Sequence, residues 1–210
     1  MARISASILS FYFDSKERKE PVDKMILHIN KALKDREQEY DILHLDIEDG
    51  KFVKTKSFTP SMIRKIHCSK KKEAHFMVLN YKKYLKDYFT LADMFIFHHE
   101  ILKRDFPKTI EFLHKNKKYV GIAVNSETHV DELKYLDKVD LVLVMGIHTG
   151  LPGQKFMENT LWKIRKLKDL RDKENLKFVI EVDGGINHDN MQKVTDAGAD
   201  ILEMGSGLFK

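Results

Sequence analysis

The sequence predicts an α/β protein that folds as a (β/α)8 barrel, the TIM-barrel architecture. Short apolar runs alternate with longer segments of helical spacing along the 210-residue chain, which is the pattern of parallel βαβ units. Several apolar runs are nearly continuous, as expected for strands that are covered on both faces. A chain of this length suits one undivided barrel. We therefore expect a single domain over residues 1–210.

Eight candidate strands follow one another from the N-terminus. They cover residues 4–9, 41–46, 74–78, 94–98, 119–124, 141–145, 178–182 and 201–204. Seven candidate helices lie between them, at residues 21–35, 60–67, 81–89, 106–116, 130–136, 158–173 and 189–197. Eight strands and seven helices make an almost complete barrel.

The end of the sequence departs from this pattern. The sequence stops at Lys210, directly after the eighth strand, so we expect the eighth helix to be missing. Apolar surface near the seam of the barrel would then be uncovered. This predicts either a subunit contact at the seam, and hence a homo-oligomer, or a shortened chain.

Composition and charge exclude several classes of protein. Apolar residues make up 42% and charged residues 33%, which is typical of a soluble globular protein. No apolar run reaches the roughly 18 residues of a membrane-spanning helix. The formal charge is +5, but the lysines are scattered, which favours a solvated surface over a nucleic-acid interface. A positive field could still attract an anionic substrate.

Two further features predict a cytoplasmic protein. The apolar stretch at residues 1–13 lacks a small-residue cleavage site, so we interpret it as the first strand and not as a secretory signal. The single cysteine, Cys68, cannot form an internal disulfide, which is compatible with a reducing compartment.

Polar residues at three strands predict a metal site. His44 and Asp46 point to the same face at the end of the second strand, and in a barrel that face looks into the active-site mouth. His75 lies in the third strand, and Asp183 ends the seventh, where an unpaired carboxylate would be costly. Each signal is weak alone, because a lone histidine in an apolar run is usually a satisfied core residue. Together they form a mixed nitrogen and oxygen set that suits Zn, Fe, Mn or Co.

Glycines after the last three strands are candidates for phosphate binding. Glycine lets backbone N–H groups approach an oxyanion closely, and the loops after the last strands of barrels commonly hold a phosphate. The candidate residues are Gly150, Gly153, Gln154, Gly184, Gly185, Gly205 and Ser206. Any one of these pairs alone could be only a tight turn.

On these residues the sequence resembles the ribulose-phosphate 3-epimerases. The resemblance runs in order over essentially the whole chain, and its most specific strings are HLDIEDGKF, GQKF and EVDGGI. The matching stretches are residues 5–9, 44–52, 75–77, 143–145, 150 with 153–156, 181–186, 197–200 and 205–206. The HLDIED variant resembles epimerase-like paralogues at least as closely as the housekeeping enzyme.

The resemblance implies a role for each candidate residue. His44, Asp46, His75 and Asp183 would hold one divalent metal ion, and the two aspartates would also be the acid/base pair. Inverting a carbon beside a carbonyl needs proton removal on one face and proton return on the other. By the same resemblance, Ser7 would hydrogen-bond the substrate, Met77 and Met145 would pack against the reacting carbons, and His98 would support the site without contacting the metal.

Three departures from the family pattern bear on the substrate. Glu48 stands where the family usually has methionine, which brings negative charge toward an anionic intermediate. Pro152 replaces a glycine and removes one backbone N–H, and His148 and Thr149 replace the usual residues beside it. The missing eighth helix would disturb the loop at Gly205.

The sequence supports four hypotheses about the function to different degrees. The resemblance implies epimerisation at carbon 3 of a ketose phosphate, with D-ribulose 5-phosphate first and a ketohexose phosphate second. Glu48 and Pro152 motivate an alternative, a sugar-phosphate-binding paralogue with little or no activity. A related decarboxylating or aldol barrel typically carries an Asp-x-Lys-x-x-Asp motif, and no lysine lies between Asp46 and Asp49. A nucleic-acid role lacks any recognisable module.

Overall fold

A computed structural model describes residues 2–150 and 153–209 of the chain. Within those residues, eight parallel strands form a closed barrel in sequence order. The last strand pairs with the first, through Arg3 with Ile201 and Ala6 with Met204. The predicted fold class is confirmed. Pro152, one of the departures noted in the sequence, lies outside the described residues.

The strands agree closely with the predicted runs. They are β1 (Arg3–Ser7), β2 (Ile42–Glu48), β3 (Lys71–Met77), β4 (Met94–His98), β5 (Tyr119–Val124), β6 (Leu141–Met145), β7 (Val179–Asp183) and β8 (Ile201–Met204). The bounds of β4, β5, β6 and β8 are those predicted, while the other four strands shift by one to three residues.

The helices agree less well. They are α1 (Leu9–Glu17), α2 (Val22–Asp35), α3 (Pro60–Ile63), α4 (Tyr81–Tyr88), α5 (Phe106–Lys115), α6 (Thr160–Lys173), α7 (Met191–Ala197) and α8 (Ser206–Phe209). The predicted helix at residues 130–136 is wrong: only a single 3-10 turn forms, at Val130–Glu132. Tyr135 has a φ of 66°, which no right-handed helix allows.

Two helices were not predicted. Helix α1 occupies part of the apolar stretch at residues 1–13 that we interpreted as the first strand, which ends at Ser7. Helix α8 is one turn that follows β8. The ring of Phe209 packs edge-on against Phe11 of α1, with ring centroids 5.2 Å apart, so the seam carries a helical turn where we expected no helix.

The strands separate an outer core from the interior of the barrel. Along β2, Leu43, Leu45 and Ile47 pack in the core beneath the helices, whereas His44 and Asp46 are buried polar residues. Since strand side chains alternate between faces, the polar residues of β2 point inward. A smaller apolar cluster includes Ile96, Ala123, Leu141, Leu143, Met145 and Ile201. The interior is therefore apolar mainly along β4–β6 and polar on the side of β2, β3 and β7.

Among the described helices, none combines the length and the apolar character required to cross a membrane.

Candidate active site

Four side chains from three strands meet at the carboxyl ends of the strands. Nε2 of His44 lies 3.5 Å from Oδ1 of Asp46 and 3.8 Å from Oδ2 of Asp183. Nδ1 of His75 lies 3.1 Å from Oδ2 of Asp183 and 3.8 Å from Oδ1 of Asp46. One atom from each residue falls within 4.8 Å of all the others. The structure thus brings together the four residues that the sequence analysis grouped.

The strand register explains this convergence. Asp46 of β2 pairs directly with His75 of β3, so both side chains leave the sheet at the same height. His44 lies two residues earlier on β2 and points to the same face. Asp183 ends β7 opposite Met145 of β6 and reaches the centre from the other side of the barrel.

The donor atoms of this group fit a divalent metal ion. Among the described residues, Nε2 of His44, Nδ1 of His75 and Oδ2 of Asp183 are buried and have no hydrogen-bond partner. Polar atoms left in that state are costly, whereas a cation would bind all of them at once. Two imidazole nitrogens and two carboxylates are suitable ligands for Zn, Fe, Mn or Co.

The electrostatics of the group also favour positive charge. Burial alone would lower the pKa of His44, but the Asp46, Glu181 and Glu73 carboxylates raise this pKa well above its ordinary value. Burial would likewise lower the pKa of His75, but the Asp183 and Asp46 carboxylates raise it above its ordinary value. The two histidines in turn hold the pKa of Asp46 well below its usual range, against the effect of burial. A proton or a metal ion can supply the positive charge.

Glu73 orients His44 from below. Its Oε1 lies 2.8 Å from Nδ1 of His44 and accepts a hydrogen bond of 2.5 Å from the hydroxyl of Ser5. A proton on Nδ1 leaves the lone pair of Nε2 directed at the site. Oε1 of Glu181 lies 3.6 Å from the same Nδ1. Glu73 was not predicted, although it lies two positions before His75, on the inward face of the same strand.

A second chain of polar groups lies behind His75. Its Nε2 is 2.9 Å from Nε2 of His98, and Nδ1 of His98 is 3.3 Å from Oε2 of Glu100. Glu100 accepts hydrogen bonds from the N–H of Asn125 and the hydroxyl of Thr128. His98 therefore contacts one of the four grouped residues, as expected for a supporting group. Glu100 was not predicted, because residue spacing in the sequence does not show that its side chain reaches His98 and the loop at Asn125.

The remaining predicted residues beside the four are Ser7, Met77 and Met145. The hydroxyl of Ser7 donates to Oδ2 of Asp46 at 2.8 Å and accepts from the N–H of Leu9 at 3.2 Å. Both methionines end their strands and are buried. Met77 pairs with Glu48 across β2 and β3, and Met145 pairs with Asp183 across β6 and β7.

A cavity of about 540 Å³ extends from this site. The predicted residues that line it are Ser7, Asp46, Gly153, Gln154, Asp183, Gly184, Gly185, Gly205 and Ser206. Gly150 is not among the lining residues; its carbonyl accepts from the hydroxyl of Thr55. A larger cavity, of about 790 Å³, opens beside α2 and contains none of the predicted site residues.

Carboxylates in this cavity were not anticipated from the sequence. Asp14 and Glu17 of α1 and Glu203 of β8 line it, and Oε2 of Glu203 accepts from the N–H of Gly184 at 3.3 Å. Burial and the Asp183 charge raise the pKa of Glu203 well above its ordinary value. The cavity that joins the four grouped residues to the glycine turns thus contains a carboxyl group that favours its neutral form.

The altered residues of the loop after β6 tie it to the loop after β5. Nδ1 of His148 lies 2.7 Å from Oε1 of Glu127, and the hydroxyl of Thr149 donates to Oδ1 of Asn125 at 2.5 Å. Asn125 also donates its backbone N–H to Glu100. The two loops and the polar chain behind His75 are therefore connected.

Comparisons with known proteins give the family. The model of the Ribulose-phosphate 3 epimerase family matches residues 3–209. The chain is 33% identical over 172 residues to the ribulose-phosphate 3-epimerase of Aquifex aeolicus, covering 80% of this chain and 78% of that one. It is 33% identical over 175 residues to the enzyme of the same name from Buchnera aphidicola subsp. Baizongia pistaciae, covering 80% and 77%.

A solved structure supports the fold alone. KGPDC from Streptococcus mutans aligns with a TM-score of 0.65 at 14% identity, over 99% of this chain and 89% of that one. The family match over nearly the whole chain carries the assignment: this protein belongs to the ribulose-phosphate 3-epimerase family and is an isomerase of the epimerase type.

Proposed function

We propose that this protein inverts carbon 3 of a ketose phosphate, with D-ribulose 5-phosphate as the first candidate and a ketohexose 6-phosphate as the second. The observation that carries the proposal is the pair of carboxylates, Asp46 and Asp183, that belong to one group of atoms within 4.8 Å. They come from β2 and β7, so they reach a bound substrate from different sides.

The two carboxylates have complementary tasks. One removes the proton from carbon 3 and the other returns a proton to the opposite face, which inverts the centre. The hydroxyl of Ser7 holds Asp46 in place at 2.8 Å and hydrogen-bonds the substrate. One divalent metal ion, held by His44, Asp46, His75 and Asp183, would supply positive charge that stabilises the negative charge on the substrate oxygens.

The rest of the substrate lies in the cavity of about 540 Å³. Met77 and Met145 cover the reacting carbons and exclude water. The phosphate binds the backbone N–H groups of the glycine turns, because such groups approach an oxyanion closely. The residues proposed for this end are Gly153, Gln154, Gly184, Gly185, Gly205 and Ser206, which line the cavity, whereas Gly150 does not.

A specific observation favours a second candidate, a sugar-phosphate-binding paralogue with little activity. Glu203 lines the cavity and already accepts from the N–H of Gly184, which removes one donor from the phosphate. The buried Glu48 adds a second unexpected carboxylate near Asp46 and Asp183.

Conversion of D-ribulose 5-phosphate to D-xylulose 5-phosphate by metal-reconstituted protein separates the candidates. We expect turnover with Zn²⁺, Fe²⁺, Mn²⁺ or Co²⁺ and a loss of at least about 10³-fold in Asp183→Asn. Binding of the sugar phosphate without conversion, with any of these ions, would contradict epimerisation and support the paralogue.

The homo-oligomeric state and the cytoplasmic location stay predictions from the sequence. Light scattering of the purified protein tests the first, and a mass equal to one 24.6 kDa chain would contradict it.

A further inference from the structure

Glu48 is a buried carboxylate without a partner at the end of β2. Glu48 is only 5% exposed to solvent. In the described part of the chain, neither of its carboxylate oxygens has a hydrogen-bond partner. The hydroxyl of Thr55 lies near enough to lower the pKa of Glu48, but its hydrogen bond goes to the carbonyl of Gly150 at 3.2 Å. A buried acceptor in this state is costly, so a partner delivered from outside the chain would relieve it.

The hydroxyl of Ser57 fixes the backbone of Glu48 in this position. The N–H of Glu48 donates to the hydroxyl of Ser57 at 2.9 Å, and that hydroxyl donates to the carbonyl of Asp46 at 2.5 Å. Ser57 therefore fixes the two positions of β2 together. Since side chains alternate along a strand, Glu48 points to the same interior as Asp46.

The surroundings of Glu48 place it beside the reacting centre. Burial raises the pKa of Glu48 to about 7, and the charges of Asp46 and Asp183 raise it as well, while the hydroxyl of Thr55 and the charge of His75 act in the opposite direction. The charge of Glu48 in turn adds to the effect of burial in raising the pKa of Tyr12. Three of the four grouped residues are thus within electrostatic reach of this carboxylate.

Two partners can be set aside. Glu48 is not among the four described residues whose ligand atoms lie within 4.8 Å of one another, which argues against a fifth metal ligand. A phosphate would repel a carboxylate. Moreover, Glu48 is not among the residues that line the cavity with the glycine turns.

A neutral donor at the opposite end of the substrate remains. When carbon 3 lies between Asp46 and Asp183 and the phosphate points to the glycine turns, the group at the other end of a ketose is the hydroxyl on carbon 1. A hydroxyl is a good donor to a carboxylate. Glu48 pairs with Met77 on β3, on the side of the site away from β7 and β8.

We propose that Glu48 is a specificity-determining residue that accepts a hydrogen bond from the hydroxyl on carbon 1 of the sugar. This inference rests on the proposed epimerase function. With this contact, the substrates of the protein are ketose phosphates with a free hydroxyl on carbon 1, and the protein discriminates against 1-deoxy ketose phosphates.

The test compares D-xylulose 5-phosphate with 1-deoxy-D-xylulose 5-phosphate, which lacks only that hydroxyl. Deuterium uptake at carbon 3 in heavy water gives kcat/KM for each sugar. We expect the metal-loaded protein to favour the hydroxylated sugar by roughly 10³-fold, because a site built to bind a hydroxyl strongly rejects the analogue that lacks it. In Glu48→Met the ratio falls to about ten or less, and in Glu48→Gln, whose amide oxygen still accepts, it lies between the two.

Three controls make the result decisive. Glu111→Gln, on the exposed face of α5, keeps the ratio of the unaltered protein. Co²⁺ titration followed by absorbance should give the same metal affinity for Glu48→Met; a loss of metal binding would make Glu48 a ligand and overturn the proposal. Calorimetric affinities of both sugars for Asp183→Asn, with and without Glu48→Met, repeat the comparison without turnover.

The outcomes separate this inference from the proposed function. Equal use of both sugars by the unaltered protein, or discrimination that survives in Glu48→Met, overturns the role of Glu48 while the epimerase function stands. If neither sugar exchanges, the proposed function fails, and the calorimetric ratio still supports or overturns the contact with Glu48.

Discussion

Nε2 of His75 lies 2.9 Å from Nε2 of His98. A metal ion bound at Nδ1 of His75, the nitrogen that faces Asp183, would leave the proton of the ring on Nε2, which then donates a hydrogen bond to His98. His98 then carries its own proton on Nδ1, toward Glu100. Burial lowers the pKa of His98 to about 4, in agreement with a neutral ring that accepts from His75. The direction of donation is thus the same along the whole chain of groups.

We therefore expect His98 to strengthen metal binding through His75. His98→Phe keeps a ring in place but removes the acceptor, and it should weaken Co²⁺ affinity by about 10- to 100-fold, the usual effect of losing such a support. Absorbance titration measures this affinity. His99→Phe, at the next position of the chain, is the control; an equal loss in both variants would show a general effect on the fold.

Two buried glutamates under His44 should respond differently to the same change. Burial and the charge of Glu73 raise the pKa of Glu181 well above its ordinary value, so Glu181→Gln replaces one neutral group by another. Burial opposes ionisation of Glu73 as well, but His44 lowers the pKa of Glu73. Glu73→Gln therefore removes a charged acceptor from Nδ1 of His44, and only this variant should lose about 10-fold or more in metal affinity. An equal loss of metal affinity in both variants would contradict a charged Glu73 beside a neutral Glu181.

Metal binding should stabilise the folded chain. A ligand that binds only the folded state at 100 times its Kd adds about 2.7 kcal/mol to the free energy of unfolding. Thermal unfolding with a chelator and with added Zn²⁺ or Co²⁺ measures the increment. At the same ion concentration, Asp183→Asn binds the ion more weakly because it lacks one ligand, so it should lose most of the increment; an unchanged increment would place the metal elsewhere.

Two glycines with similar backbone angles separate strain from steric overlap. Gly185 and Gly153 have φ of 74° and 76°, so an alanine at either position is strained by roughly 1–2 kcal/mol. An added Cβ at Gly185 would lie 2.5 Å from the backbone nitrogen of Phe156, whereas at Gly153 it meets no described atom within 4 Å. Urea unfolding should show Gly185→Ala less stable than Gly153→Ala by at least about 2 kcal/mol. Equal stability would mean that Phe156 moves aside without cost.

The strands were more predictable than the helices. Each strand is a short apolar run, and for β4, β5, β6 and β8 the run ends where the strand does. Helix α1 escaped prediction because its apolar and polar residues are not separated on two faces. Residues 130–136 have helical spacing, but the left-handed backbone of Tyr135 ends the segment after one 3-10 turn.

The centre of the site could be predicted because it depends on strand geometry alone. Alternation places His44 and Asp46 on one face, and parallel strands bring His75 and Asp183 to the same end. Glu73 has the same alternation signal, two positions before His75 on the inward face of β3, but was not predicted; Glu100 was missed because it reaches His98 and the next loop through side-chain contacts that strand alternation does not predict. Gly150 was grouped with the cavity because it follows β6, yet the loop directs it toward Val53 and Thr55.

The most direct test of the two-carboxylate mechanism follows exchange at carbon 3 separately in D-ribulose 5-phosphate and D-xylulose 5-phosphate, in heavy water with saturating metal. Asp46→Asn and Asp183→Asn should each lose interconversion by at least about 10³-fold. Each should still exchange the carbon 3 proton of one epimer, and the two variants should exchange opposite epimers, because each carboxylate serves one face. Exchange of the same epimer by both variants, at equal metal content, would contradict the assignment of Asp46 and Asp183 to opposite faces.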